Sequence, residues 1–192
     1  MRVLTIYAHH DPRSFCHAVL ERFTEGLRDA GHAGEVVDLY AIGFDPALRD
    51  HDRPNWIDES VPDDVLEQAD ALAFIAPVYF VGLPAILKGW IERVFTLGFA
   101  FGLTPDGWRG DIGGRVPLLK HEKALIIQTT IFDERAYRAG LKDAMTALID
   151  EYALRYPGIQ RVEHEYFYAV HGADDAIRRR YLERAYSLGR EF

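Results

Sequence analysis

Two segments, ADALAFIAP at 69–77 and KALIIQTT at 123–130, are almost unbroken apolar runs of strand length. A strand with one wet face alternates polar and apolar residues. A strand that is apolar throughout is covered on both faces, as in a parallel sheet. Parallel neighbours need a crossover long enough for a helix. The rest of the chain supplies that alternation. RVLTIYA at 2–8, EVVDLY at 35–40 and RVEHEYFYAV at 161–170 read as further strands. Helical patterns fall at 14–30, 62–69, 84–96, 133–155 and 174–190. In the first of these, Phe15, Val19, Phe23 and Leu27 recur at four-residue spacing, and Gly31 lies past the end. Pro62 and Pro84 fall in first turns, where proline is tolerated. Segment 41–60, with Pro46 and Pro54, reads as irregular. Segment 97–121 reads as a long excursion with glycines at 98, 102, 107, 110, 113 and 114.

Five strands alternating with helices predict an α/β fold with right-handed crossovers. The expectation is a flavodoxin-like doubly wound parallel sheet of order 2-1-3-4-5, helices on both faces, in one domain over 1–192. A net charge of −8 argues against a nucleic-acid partner, which needs a basic face. The single cysteine, Cys16, excludes an internal disulfide and fits a reducing compartment. No apolar run reaches the roughly 18 residues of a membrane span, and the N-terminal run is too short for a signal peptide. The expected setting is the cytoplasm, without membrane insertion.

Ligands of such sheets bind beyond the carboxyl ends of the strands, near the switch point between strands 1 and 3. That rule selects the loops 8–14, 77–83 and 129–137. The first, AHHDPRSF, offers Ser14 as an N-cap, open amides at a helix start and the Arg13 cation, a combination that attracts phosphate. The plainer reading is a simple cap and a solvated arginine. No GxGxxG or Walker lysine is present. His9 and His10 are adjacent and expected to point apart, which is poor metal spacing, so no metal is expected. The second loop, PVYFVGLP at 77–84, is apolar where a plain connector is polar. Tyr79, Phe80 and Val81 either plug a core or interface, or form a ledge for a planar polar ring, with Gly82 admitting close backbone approach. The third, QTTIFDERAY, ends a strand at Thr129 and Thr130, caps the next helix with Asp133, and places Tyr137 in its first turns.

The string GLPAILKGWIERVF followed by GFAF resembles the NAD(P)H:quinone oxidoreductases of the flavodoxin-like fold. So do His9, the Ser14-Phe15 pair and DLYAIGFDP at 38–46. The resemblance is good over 2–105, holds register through Thr129, Thr130 and Tyr137, and is looser over 138–192. It implies a homodimeric two-electron reductase with bound FAD or FMN, FAD slightly preferred. In that ping-pong mechanism NAD(P)H delivers hydride to flavin N5, and a quinone-like acceptor then takes it. By matching position, His9, Arg13, Ser14, Phe15 and Cys16 would line the phosphate tail. Pro77, Val78, Tyr79, Phe80 and Val81 would cradle the isoalloxazine, with Thr129, Thr130 and the catalytic Tyr137 at its polar edge. Phe101 would face the acceptor pocket.

The departures are specific. Ile131 and Phe132 stand where relatives often carry two glycines. Lys142 and Asp143 stand where a histidine partner of the tyrosine is found. Phe101 stands where relatives carry a tyrosine. Arg178, Arg179 and Arg180 follow Ile177, where one arginine is expected, and read as a helix face. Two other classes compete with the enzyme: a one-electron carrier, and a flavin-binding regulatory or ancillary subunit. Azo or nitro compounds are further possible acceptors.

Overall fold

A computed structural model describes residues 1–48 and 63–192. The expectations that rest on Pro54 and Pro62 lie outside the described residues. Five parallel strands form the central sheet: β1 (Arg2–Tyr7), β2 (Ala33–Asp38), β3 (Ala71–Pro77), β6 (Lys123–Thr129) and β7 (Arg161–Phe167). Their order, β2-β1-β3-β6-β7, is the expected flavodoxin-like arrangement. All seven residues of β3 are buried, whereas the edge strand β2 is mostly exposed. The two-sided burial that the apolar runs imply therefore belongs to the centre of the sheet.

Alternate residues feed two cores. Leu4, Ile6, Leu72, Phe74 and Ile126 pack on one face with Trp90 and Leu87 of α3 (Ala85–Val94). Val3, Ala73, Ile75, Leu125 and Ile127 pack on the other with Phe23 of α1 (Phe15–Asp29) and Leu188 of α6 (Asp175–Arg190). A short helix α2 (Asp63–Gln68) precedes β3. No helix among the described residues is long and apolar enough to cross a membrane.

Two expectations are corrected. The excursion 97–121 holds an antiparallel hairpin, β4 (Phe101–Leu103) with β5 (Arg115–Pro117), besides its glycine turns. Gly107 and Gly114 make the connection possible: a Cβ at Gly114 would lie 2.3 Å from the Gly107 nitrogen. The single helix read over 133–155 is instead a composite. It runs through α4 (Glu134–Ala136), a π-helical turn Tyr137–Leu141, α5 (Lys142–Met145) and a π-helical stretch Thr146–Arg155. Gly140, at φ 117°, breaks the first π-helical turn. Only glycine takes that conformation without strain, and the apolar period passes over it unmarked.

Candidate functional site

The carboxyl ends of β1, β3 and β6 lie level, Tyr7 beside Ile75 and Pro77 beside Thr129. The loops that leave them border a cleft of about 620 Å³, open to solvent. It is lined by His9, Ser14, Phe15, Cys16, Pro77, Val78, Tyr79, Phe80, Thr129 and Thr130, all expected from the sequence.

At one end α1 points its N-terminus at the cleft. Ser14 caps it, its hydroxyl accepting the His17 amide at 3.1 Å. The first amides after Ser14, those of Phe15 and Cys16, have no carbonyl partner within the helix, and they leave a positive partial charge there. The His9 Nδ1 accepts the Asp11 amide at 3.0 Å, which leaves the ring proton on Nε2. Burial and the neighbouring His10 hold the His9 pKa below its usual value, favouring this neutral donor form. The two histidines do not point apart: their rings stack at 4.8 Å, and His10 Nδ1 lies 3.3 Å from the Tyr79 hydroxyl. Among the described residues no group of three or more His, Cys, Asp or Glu is placed to hold a metal. Burial pushes the Cys16 thiol up to about 12, so Cys16 is wall and not nucleophile.

The middle of the cleft is the ledge. Tyr79 and Gly82 exchange two backbone hydrogen bonds of 3.1 Å, closing a tight turn whose central residues are Phe80 and Val81. Both have positive φ, 46° and 65°. A β-branched residue there is a true outlier. Gly82 itself has ordinary φ and open space around it, and the strain lies on its neighbours. The turn presents the Phe80 ring wholly to solvent, at 104% relative exposure. Strain of this kind concentrates at ligand clamps.

Beyond the ledge, Thr129 and Thr130 end β6. The Thr130 carbonyl accepts the Val170 amide at 3.0 Å and the Phe132 carbonyl accepts the Ala169 amide at 2.9 Å. Ile131 and Phe132 need no positive φ, because these bonds steer the loop along the end of β7. Ile131 joins the cleft wall.

Four expected residues stand apart. Arg13 points outward, pairing with Asp11 at 3.5 Å on the surface. Val81 is half exposed and does not line the cleft. Phe101 packs edge-on against Tyr156 at 5.5 Å, in the hairpin. Tyr137 is buried, 1% exposed, in the core cluster beside Tyr166 and Tyr168. Its hydroxyl has no hydrogen-bond partner. Burial pushes the Tyr137 phenol up, and the nearby Thr130 hydroxyl eases this without closing a hydrogen bond.

The cation that lines the cleft is Arg178, which the sequence placed on a plain helix face. It donates from Nε to the Ala173 carbonyl at 3.1 Å and from Nη2 to the Val170 carbonyl at 3.2 Å, with its guanidinium over the Phe15 ring. Arg179 and Arg180 are exposed. The signal in the sequence was position: Arg178 falls in the first turn of α6, after the Asp174 cap.

Residues 1–188 match the flavodoxin-like fold family. An uncharacterised NAD(P)H oxidoreductase of Haemophilus influenzae is 30% identical, over 96% of this chain and 92% of its own length. An NAD(P)H dehydrogenase [quinone] 1 of Cavia porcellus is 34% identical, over 88% of this chain and 69% of its own. Among solved structures, an NAD(P)H:quinone oxidoreductase from Methanothermobacter marburgensis superposes with TM-score 0.86 at 32% identity, covering 100% of this chain and 95% of that one. With this fold, this cleft and these relatives, the chain belongs to the flavodoxin-like family of the NAD(P)H:quinone oxidoreductases.

Proposed function

We propose that the protein is a flavin-dependent NAD(P)H oxidoreductase that reduces a quinone-like acceptor. The observation that carries this reading is the graded chemistry of one cleft. Anion-seeking groups stand at the α1 end, a flat apolar ledge in the middle, and hydroxyls at the β6 end. A flavin has the same sequence of parts: phosphate, planar ring, polar ring edge. Behind the polar end, next to the cleft-lining Thr130, Tyr137 holds a buried hydroxyl with no hydrogen-bond partner.

When bound, a flavin supplies acceptance of two electrons as hydride from NAD(P)H and their later delivery to the acceptor, in two alternating half-reactions. The residues do the rest. Ser14, the α1 amides and His9 Nε2–H hold the phosphate. Pro77, Val78, Tyr79 and Phe80 hold the ring flat and keep water from one side. Thr129 and Thr130 donate hydrogen bonds at the polar edge, where negative charge grows on reduction, and the Tyr137 hydroxyl acts there through Thr130, behind which it is buried. Arg178 over Phe15 offers a stacking and cationic surface at the α6 side, which favours FAD over the shorter FMN.

A homodimer fits the same reading. Phe80, Trp108, Ile112 and Leu97 are exposed apolar residues around the ledge and the hairpin. A second copy would cover them and bring its own hairpin over the cleft. The carrier reading is less favoured because the hairpin 101–117 is well suited to walling a substrate pocket. Titrating the purified protein with FAD and with FMN, by quenching of flavin fluorescence, tests the site. Saturable binding that weakens in Arg178→Ala for FAD alone is expected; no binding of either flavin would contradict the proposal.

A further inference from the structure

Behind the polar end of the cleft lies a buried cluster that the proposed chemistry does not use. His164 of β7 and Asp150 of the Thr146–Arg155 stretch meet at 2.8 Å, Nδ1 to Oδ1, with side chains only 3% and 8% exposed. The other ring nitrogen, Nε2, lies 3.0 Å from Oε1 of Gln128 in β6, a wholly buried residue. The Tyr166 hydroxyl is 3.2 Å from His164 Nδ1, and the two rings stack at 4.1 Å. The side chains of Asp150, His164, Gln128 and Tyr166 thus come from three separate elements.

Stability alone does not account for this cluster. Apolar residues of similar size pack as well or better, because each buried polar group loses water. The arrangement is also incompletely satisfied, since the Gln128 amide nitrogen has no partner. What the cluster provides is a fixed orientation. An acceptor oxygen stands at each ring nitrogen, Asp150 Oδ1 at Nδ1 and Gln128 Oε1 at Nε2, so the imidazole is flanked from two sides and its turning is restricted.

The next ring in the stack is Tyr137. Its centroid lies 4.6 Å from that of Tyr166, and Tyr168 closes the other side at 5.0 Å. Its own backbone is a poor anchor, because Tyr137 begins the π-helical turn that Gly140 interrupts. Its hydroxyl makes no hydrogen bond that would set its direction. Orientation must come from the rings beside it.

We infer that His164, held between Asp150 and Gln128, is a positioning residue for Tyr137: it fixes the Tyr166 ring against which Tyr137 packs, and so holds the Tyr137 hydroxyl behind Thr130, which lines the cleft. This rests on the proposed flavin chemistry for its consequence, but not for its geometry.

The test uses a ring-fluorinated tyrosine at position 137 and fluorine NMR of the flavin-free protein. His164→Phe keeps a stacked ring and removes the three polar contacts, to Asp150, Gln128 and the Tyr166 hydroxyl. The expected result is a broadened or split fluorine signal, where the unsubstituted protein gives one sharp line. Asp150→Asn, which preserves shape and one acceptor, should give a smaller change of the same kind. In the flavin-loaded protein, His164→Phe should slow reduction by NADPH about tenfold while the flavin Kd stays within about twofold. The double variant with Tyr137→Phe should be no slower than Tyr137→Phe alone. One unchanged sharp line in both His164→Phe and Asp150→Asn would overturn the inference, as would additive losses in the double variant. If His164→Phe does not fold, the Asp150→Asn spectrum decides. If the protein takes up no flavin, the oxidoreductase proposal fails while the NMR comparison still decides the positioning role.

Discussion

Gly26 of α1 and Gly189 of α6 face each other where the two helices cross. A Cβ on Gly26 would sit 2.1 Å from the Tyr186 carbonyl oxygen, and one on Gly189 would sit 2.1 Å from that of Phe23. The obstacles are backbone atoms, which cannot swing aside. This crossing seats α6 against α1 and so sets where Arg178 meets Phe15 at the cleft. Gly189→Ala should destabilise the fold by about 1–3 kcal/mol, the usual cost of overpacking. It should also weaken FAD binding. Thermal melts and the flavin titration check both.

The strained turn makes a prediction of opposite sign. Val81 at φ 65° bears a left-handed conformation that costs a β-branched residue about 1–2 kcal/mol. Val81→Gly removes that strain, against the extra chain entropy of glycine, and Val81 does not line the cleft. The melting temperature should hold or rise, with flavin affinity unchanged. By contrast Gly82→Val meets open space in the protein itself. Its flavin-free stability should shift by no more than about 0.5 kcal/mol. Any loss of flavin from Gly82→Val therefore reports a clash with the ligand.

Tyr137→Phe separates packing from chemistry. The lost hydroxyl is buried and unpartnered, so its removal relieves a desolvation cost. Stability should stay level or rise by about 1 kcal/mol. The reductive half-reaction should slow about tenfold while flavin content is kept. Stopped-flow reduction and a melting curve on the same preparation check the pair of outcomes.

His121 predicts the pH response. It is buried, with Nε2 2.9 Å from the Leu66 carbonyl, and burial holds its pKa below the ordinary histidine value of 6.5. The folded state therefore binds fewer protons than the unfolded state near that pH. The contribution is fully present above about 6.5, and it is lost as pH falls toward the lowered folded value. His9 is shifted in the same direction and adds to the effect. Melting temperature should fall between pH 7 and pH 5, and fall less in His121→Gln.

The sheet was legible because burial on both faces leaves a plain mark: ADALAFIAP and KALIIQTT became β3 and β6 at the centre. The cleft was legible because topology dictates which loops meet, and His9, Ser14, Tyr79 and Thr130 lie on them. What escaped was conformation without composition. Phe80 and Val81 carry positive φ, which nothing in their residue types announces. Gly140 interrupts a helical period that continues across it. The hairpin escaped because strands of three residues are too short to show alternation. Arg178 and the Asp150–His164 pair escaped because their roles depend on how separate elements are brought together, which no local pattern records.

The central claim is that the cleft above β1, β3 and β6 seats a flavin that NAD(P)H reduces. The most direct measurement is the absorption spectrum of the protein after flavin addition, followed by anaerobic NAD(P)H. The account predicts bands near ~375 and ~450 nm that bleach on NAD(P)H addition and return when a quinone is supplied. A protein that stays colourless after flavin addition, or whose bound flavin is untouched by either nicotinamide, would contradict it.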